Sequence, residues 1–216
     1  MIRTILFDLD GTLADTGPDL ADALNTVLAE HGKVLLPYEK IRPVVSHGAA
    51  ALIELGFGLA RTDPHFPPLR ERLLEIYRSH LARATRLFPG MPTLLDTLAA
   101  RGLNWGIVTN KPAFLTEPLV DALGLREDVA CIVSGDTTAN RKPHPQPMLH
   151  ACALAGSAPR ECLYVGDAAR DIEAGKAAGM RTLVALFGYI GPEDRPETWG
   201  ADGLIRKPED ILDWLD

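Results

Sequence analysis

Thr4-Ile5-Leu6-Phe7-Asp8-Leu9-Asp10-Gly11-Thr12-Leu13 decides the fold. Thr4 through Phe7 is an unbroken run of apolar or β-branched residues, the pattern of a short strand buried on both faces. Asp8 and Asp10 stand where that strand must end, and Gly11-Thr12 turns the chain into a loop. In a parallel α/β sheet, ligands bind in the crevice outside the carboxyl ends of the strands. Two acids one residue apart at such an end are positioned to share one substrate and one metal ion. Alone, the pair leaves room for a solvated polar turn as the lesser alternative; three later stretches decide further against that.

The bulk properties narrow the setting. The chain has 216 residues, 46% hydrophobic and 24% charged, enough for one good-sized domain or a domain carrying an insert. A net charge of −7 argues against a nucleic-acid or anionic-membrane partner and requires a local cationic site if the substrate is an anion. Cys131, Cys152 and Cys162 lack CxxC spacing and read as small buried hydrophobes in a reducing cytosol. Acidic Asp8 arrives before any signal-peptide core can form, and no apolar run approaches the roughly 20 residues of a membrane span. The expectation is a soluble cytoplasmic protein.

Working outward from the opening strand, residues 15–85 show only helix and loop patterns. Leu20, Ala23, Leu24, Val27 and Leu28 recur at helical spacing until Gly32. The pattern restarts over 37–45, breaks at Ser46-His47-Gly48, resumes over 49–55, and returns as an amphipathic helix over 69–82 with Leu73, Ile76, Tyr77 and Leu81 inward. From Leu87 the texture changes. A helix over 91–100 precedes strands at 105–109, 131–134, 162–165, 182–187 and 203–205. Helices at 112–123, 145–155 and 168–178 separate the first four, and a last helix closes the chain. Such alternation predicts a parallel sheet with right-handed crossovers. The first strand must join it, so 15–85 is expected to be a helical cap inserted into a Rossmann-like three-layer core made of 1–14 and 86–216.

Three stretches answer the two acids. Thr109-Asn110-Lys111 ends a strand, where a hydroxyl can donate to a phosphoryl oxygen. In Asn140-Arg141-Lys142-Pro143-His144-Pro145, Pro143 keeps Lys142 out of helical geometry, so its ammonium projects from a rigid loop and can compensate a transferring phosphoryl group. Gly166-Asp167-Ala168-Ala169-Arg170-Asp171 follows a strand, and its two acids, four residues apart, share one helix face. Capping would explain one of them. Two, beside Asp8 and Asp10, suit Mg²⁺, which takes hard oxygen ligands.

In this order, these motifs resemble the haloacid dehalogenase superfamily of phosphotransferases, with its type-one helical cap, over essentially the whole chain. Lys142 to Pro147, Tyr164 to Asp167 and Ala177 to Met180 are similar to its phosphoglycolate phosphatase group. Val45 to Ala49, Gly188 to Asp194 and Trp199 to Asp202 resemble a branch acting on N-acetylmuramic acid 6-phosphate, with His47 where that branch has glycine. The resemblance implies Asp8 as nucleophile, forming an aspartyl-phosphate, and Asp10 as acid and then base. It implies Mg²⁺ on Asp8, the Asp10 carbonyl and Asp167, with Asp171 direct or through water. Thr109, Asn110 and Lys142 would bind the phosphoryl group, and Ser46, His47 and Gly48 would read the leaving group, His47 being equally compatible with an exposed loop histidine. The substrate is then a small phosphate ester, 2-phosphoglycolate or N-acetylmuramic acid 6-phosphate, handled by a monomer or homodimer. Asp10 argues against dehalogenation, and the full set of catalytic residues argues against a silent binding protein. A β-phosphoglucomutase-like phosphotransferase shares every core motif and stays open.

Overall fold

In the computed structural model, residues 1–215 are described. The chain opens with β1 (Thr4–Phe7), turns through the two acids, and forms a two-residue strand β2 (Ala14–Asp15). Four helices follow: α1 (Gly17–Glu30), α2 (Tyr38–Ile41), α3 (Gly48–Phe57) and α4 (Phe66–Ser79). A second two-residue strand, β3 (Arg86–Leu87), returns the chain to the sheet. Then come α5 (Met91–Ala100), β4 (Asn104–Val108), α6 (Ala113–Ala122), β5 (Cys131–Val133) and α7 (Gln146–Leu154). They are followed by β6 (Cys162–Gly166), α8 (Ala169–Ala177), β7 (Arg181–Ala185) and β8 (Gly203–Ile205).

The sheet order is β5-β4-β1-β6-β7-β8, all parallel. Phe7 lies opposite Ile107 on one side and Val165 on the other, so β1 is central and its end is flanked by the ends of β4 and β6. The two-residue period then sorts the core. Ile5 and Phe7 join Trp105, Ile107, Val165 and Leu183 beneath Leu94 and Leu98 of α5 and Leu119 of α6. Leu6 faces the opposite way, with Val108, Val133 and Tyr164, beneath Met148 of α7 and Ala174 of α8. This is the Rossmann-like three-layer arrangement that the alternating pattern predicts.

A third cluster belongs to the helical insert. Leu24 and Leu28 of α1, Leu52 and Ile53 of α3, and Leu73 and Tyr77 of α4 are wholly buried against one another. Burying each such side chain contributes roughly 1.5–3 kcal/mol, so the insert carries its own core. Phe88, Leu115 and Tyr189 join that cluster from the sheet side.

Three features differ from the sequence reading. β2 and β3 pair antiparallel, Ala14 with Leu87 and Asp15 with Arg86, at the entry and exit of the insert. Two residues are too few to show alternation, so no pattern announces them. The helix expected over 37–45 is a single α turn followed by a 3₁₀ stretch, Arg42–His47, because Pro43 lacks the N–H that an α-helix would use there. The terminal helix is likewise 3₁₀, Pro208–Trp214.

Candidate active site

The two acids after β1, Thr109 after β4, Lys142, and the Asp167 and Asp171 pair after β6 converge at the carboxyl ends of β1, β4 and β6. Asp8 is 3% exposed, and its backbone N–H continues the ladder by donating to the Val165 carbonyl. Gly11, at φ 84°, makes the sharp turn beyond Asp10; any side chain there would run into the Asp167 carboxylate.

Lys142 is the charge centre. Its Nζ lies 3.0 Å from Asp8 Oδ1 and 2.7 Å from Asp171 Oδ1, and also donates to the Val108 carbonyl at 2.8 Å. The side chain has no solvent exposure. Asn110 holds the backbone of Lys142 by a reciprocal pair of bonds: its Nδ2 donates to the Lys142 carbonyl at 2.9 Å, and its Oδ1 accepts from the Lys142 N–H at 3.0 Å. The Lys142–Pro143 peptide is cis. Thr109 Oγ1 accepts from the Lys111 N–H at 3.1 Å, which leaves its own hydrogen to donate into the cavity that it lines.

The acids differ in how their oxygens are used. Asp8 Oδ1 also accepts from the Leu9 N–H at 2.8 Å, whereas Oδ2 accepts no hydrogen bond among the described residues. Asp171 caps its own helix, Oδ2 accepting from the Ala168 N–H at 3.0 Å, while Lys142 occupies Oδ1. Asp167 Oδ2 accepts from Ser46 Oγ at 2.7 Å and from the Tyr189 N–H at 2.8 Å; Oδ1 has only Thr12 Oγ1 at 3.4 Å. One oxygen each from Asp8, Asp167 and Asp171 lie within 4.8 Å of one another. Burial, and then the Asp8 and Asp171 charges, push the Asp167 carboxyl up to about 7. Burial also raises Asp8, with Lys142 opposing. A buried cluster of hard oxygens, in which burial disfavours the charge of Asp8 and Asp167, fits Mg²⁺ by its chemistry.

Asp10 faces the insert. Its carboxylate accepts from Thr16 Oγ1 at 2.6 Å and from Lys111 Nζ at 2.9 and 3.2 Å. Lys111 in turn donates to the Tyr77 hydroxyl of α4 at 3.0 Å, with its ammonium 4.5 Å from that ring's centre. Burial works against the Lys111 charge, but Asp10 and Tyr77 outweigh it and hold the group protonated above its ordinary range. Ser46, His47 and Gly48 border the cavity from the insert side. His47 itself is exposed; partial desolvation first, then the Arg170 guanidinium, keep its imidazole below the usual pKa.

Sequence reasoning passes over Thr16, Tyr77, Lys111, Arg170 and Tyr189. Lys111 and Arg170 lie inside quoted motifs, and their charge was the available signal. Tyr77 reads as an inward-facing helix residue and Tyr189 falls in a stretch singled out only for its resemblance; the fold alone brings them here. The site opens into a cavity of about 710 Å³ between insert and sheet, bordered also by Arg61, Arg70, Arg141 and Arg170. Arg61 is paired to Glu54, whereas the guanidiniums of Arg70 and Arg141 make no ion pair or hydrogen bond with the described residues.

Comparison with known proteins gives one consistent picture. The pattern of the haloacid dehalogenase-like hydrolases matches residues 5–185. The N-acetylmuramic acid 6-phosphate phosphatase of Pseudomonas aeruginosa is 41% identical over 215 residues, covering 100% of this chain and 95% of that protein. The phosphoglycolate phosphatase of Xylella fastidiosa is 42% identical over 209 residues, covering 95% and 90%. Among solved structures, a predicted phosphoglycolate phosphatase from Haemophilus somnus superposes with a TM-score of 0.88 at 27% identity, over 100% of this chain and 98% of that one.

Proposed function

Because the chain belongs to the haloacid dehalogenase-like hydrolase family, we propose that it is a Mg²⁺-dependent phosphatase that hydrolyses a phosphomonoester through a phosphorylated Asp8. The observation that carries this reading is the asymmetry of Asp8: one oxygen is tied to Lys142 and Leu9, and the other is free beside a ligand-sized cavity.

The steps follow from the side chains. Thr109 and Lys142 hold the phosphoryl oxygens, with Asn110 fixing the Lys142 loop. Asp8 Oδ2 attacks phosphorus in line as the P–O bond to the leaving alkoxide breaks, and Asp10 gives that alkoxide its proton. Water then attacks the aspartyl-phosphate, Asp10 takes the proton released, and the P–O bond to Asp8 breaks to free phosphate. Thr16 and Lys111 hold Asp10 in place between these transfers. Mg²⁺, held by Asp8, Asp167 and the Asp10 carbonyl, would offset the phosphate charge. Asp171 would meet it directly or through water. Residues 15–85 act as the cap over a core of 1–14 and 86–216, with β2 and β3 as its hinge. Closure keeps bulk water from the intermediate.

For the substrate, the cavity's volume of about 710 Å³ favours N-acetylmuramic acid 6-phosphate. That size lies in the roughly 300–1,000 Å³ range that encloses drug-sized ligands, well beyond what phosphoglycolate fills. Arg70 and Arg141 are available for the substrate's carboxylate. Phosphoglycolate is the competing reading, favoured by the name of the Xylella relative. The test is Mg²⁺-dependent phosphate release from both esters in parallel, with Asp8→Asn as background. A kcat/KM larger by orders of magnitude for the sugar phosphate is expected; the reverse ranking would transfer the protein to the smaller acid. The buried free cysteines support a reducing, cytoplasmic setting. No helix among the described residues is long and apolar enough to cross a membrane.

A further inference from the structure

The 3₁₀ stretch that interrupts the insert's α-helices does more than border the cavity. Ser46 Oγ donates to Asp167 Oδ2 at 2.7 Å and lies 3.4 Å from the Asp10 carbonyl oxygen. On the other side of the same residue, Arg170 Nη2 of α8 donates to the Ser46 carbonyl at 2.7 Å. Of the donors to Asp167, Thr12 and Tyr189 belong to the sheet side, and Ser46 alone comes from the insert.

We propose that Ser46 is a positioning residue for the metal centre, delivered by cap closure: its hydroxyl fixes Asp167 through Oδ2 so that Oδ1 is presented to the cation. The inference rests on the Mg²⁺ reading above and assigns Ser46 to the metal's carboxylate rather than to the substrate. Outer hydrogen bonds of this kind orient ligating carboxylates, and losing one typically costs 10–100-fold in metal affinity. The bond also spans cap and core. A closed cap therefore raises affinity for the ion, and by linkage the ion favours the closed cap by the same factor. Arg170 strengthens the coupling, because it grips the same residue's backbone and gives the cap loop a two-point contact with the core.

The experiment is a calorimetric Mg²⁺ titration of the full chain without substrate, for the unaltered protein, Ser46→Ala and Ser46→Thr. Limited proteolysis of the insert is followed with and without Mg²⁺, and circular dichroism checks that each variant is folded. Ser46→Ala is expected to weaken Mg²⁺ binding about tenfold or more and to abolish protection of the insert by the ion; Ser46→Thr, which keeps the hydroxyl, restores both. Unchanged Mg²⁺ affinity in Ser46→Ala, with KM alone raised, would overturn the proposal and return Ser46 to substrate contact while leaving the Mg²⁺ reading intact. Failure of the unaltered protein to bind Mg²⁺ would overturn both.

Discussion

Lys142 reconciles two buried acids that would otherwise repel. With its Nζ 3.0 Å from Asp8 and 2.7 Å from Asp171, removing the ammonium leaves two unpaired carboxylates in a dry site. Lys142→Ala is therefore expected to destabilise the protein by about 3–5 kcal/mol, measured by urea unfolding, besides abolishing turnover. Asp8→Asn removes a charge from the same cluster. It should lose activity by at least about a thousandfold, yet keep or raise the melting temperature of the metal-free protein. Asp167 gives a pH signature. Its carboxyl titrates at 3.8 when unperturbed and at about 7 in the folded, metal-free chain. Between those values the folded state binds more protons than the unfolded state, so stability is full below the lower value and falls as pH rises through the upper one. Burial acts on Asp8 in the same direction. Melting scans in EDTA should show this decline from acid to neutral pH; saturating Mg²⁺ should remove it, adding about 2.7 kcal/mol at a hundred times the dissociation constant. A flat profile in EDTA would contradict the charge picture.

Legibility from sequence differs by element. β1, β4 and β6 were readable because both of their faces are largely buried and apolar, so the acids after β1 and β6 and Thr109 after β4 could be placed at strand ends. α1 and α4 were readable from their stripes, although the Pro67-Pro68 start moved α4 earlier, to Phe66–Ser79, because proline is tolerated in a helix's first turn. β2 and β3 were invisible for the opposite reason: they exist through pairing, not through pattern. Side-chain partnerships across elements were equally hidden. Nothing local ties Lys111 to Tyr77, or Tyr189 to Asp167, since α4 meets the site only once the insert folds back and the loop after β7 only once β7 pairs with β6. Asn110 illustrates the limit. Its place beside Thr109 was plain, but its reciprocal bonds to the Lys142 backbone depend on the β5–α7 loop. Asn110→Ala is expected to lower kcat through loss of the Lys142 position, with stability reduced by about 1–3 kcal/mol for the unpaired backbone groups.

At the scale of the whole molecule, two hydrophobic bodies enclose one polar seam. The insert has its own core, the sheet has another on each face, and Asp8, Asp10, Lys142 and four arginines border the cavity between them. A chain with net charge −7 thereby offers an anion a locally cationic entrance. Arg70→Ala should raise KM for an ester that carries a carboxylate and leave KM for a neutral-tailed sugar phosphate nearly unchanged, as read by steady-state kinetics. Equal effects on both would remove Arg70 from substrate recognition. The central claim, however, concerns Asp8. Rapid acid quench during turnover of N-acetylmuramic acid 6-phosphate, followed by peptide mass spectrometry, tests it directly. The account predicts a transient added phosphoryl mass on Asp8 itself, absent in Asp8→Asn. Undiminished turnover with no phosphorylated peptide, or with the phosphoryl group on another residue, would contradict it.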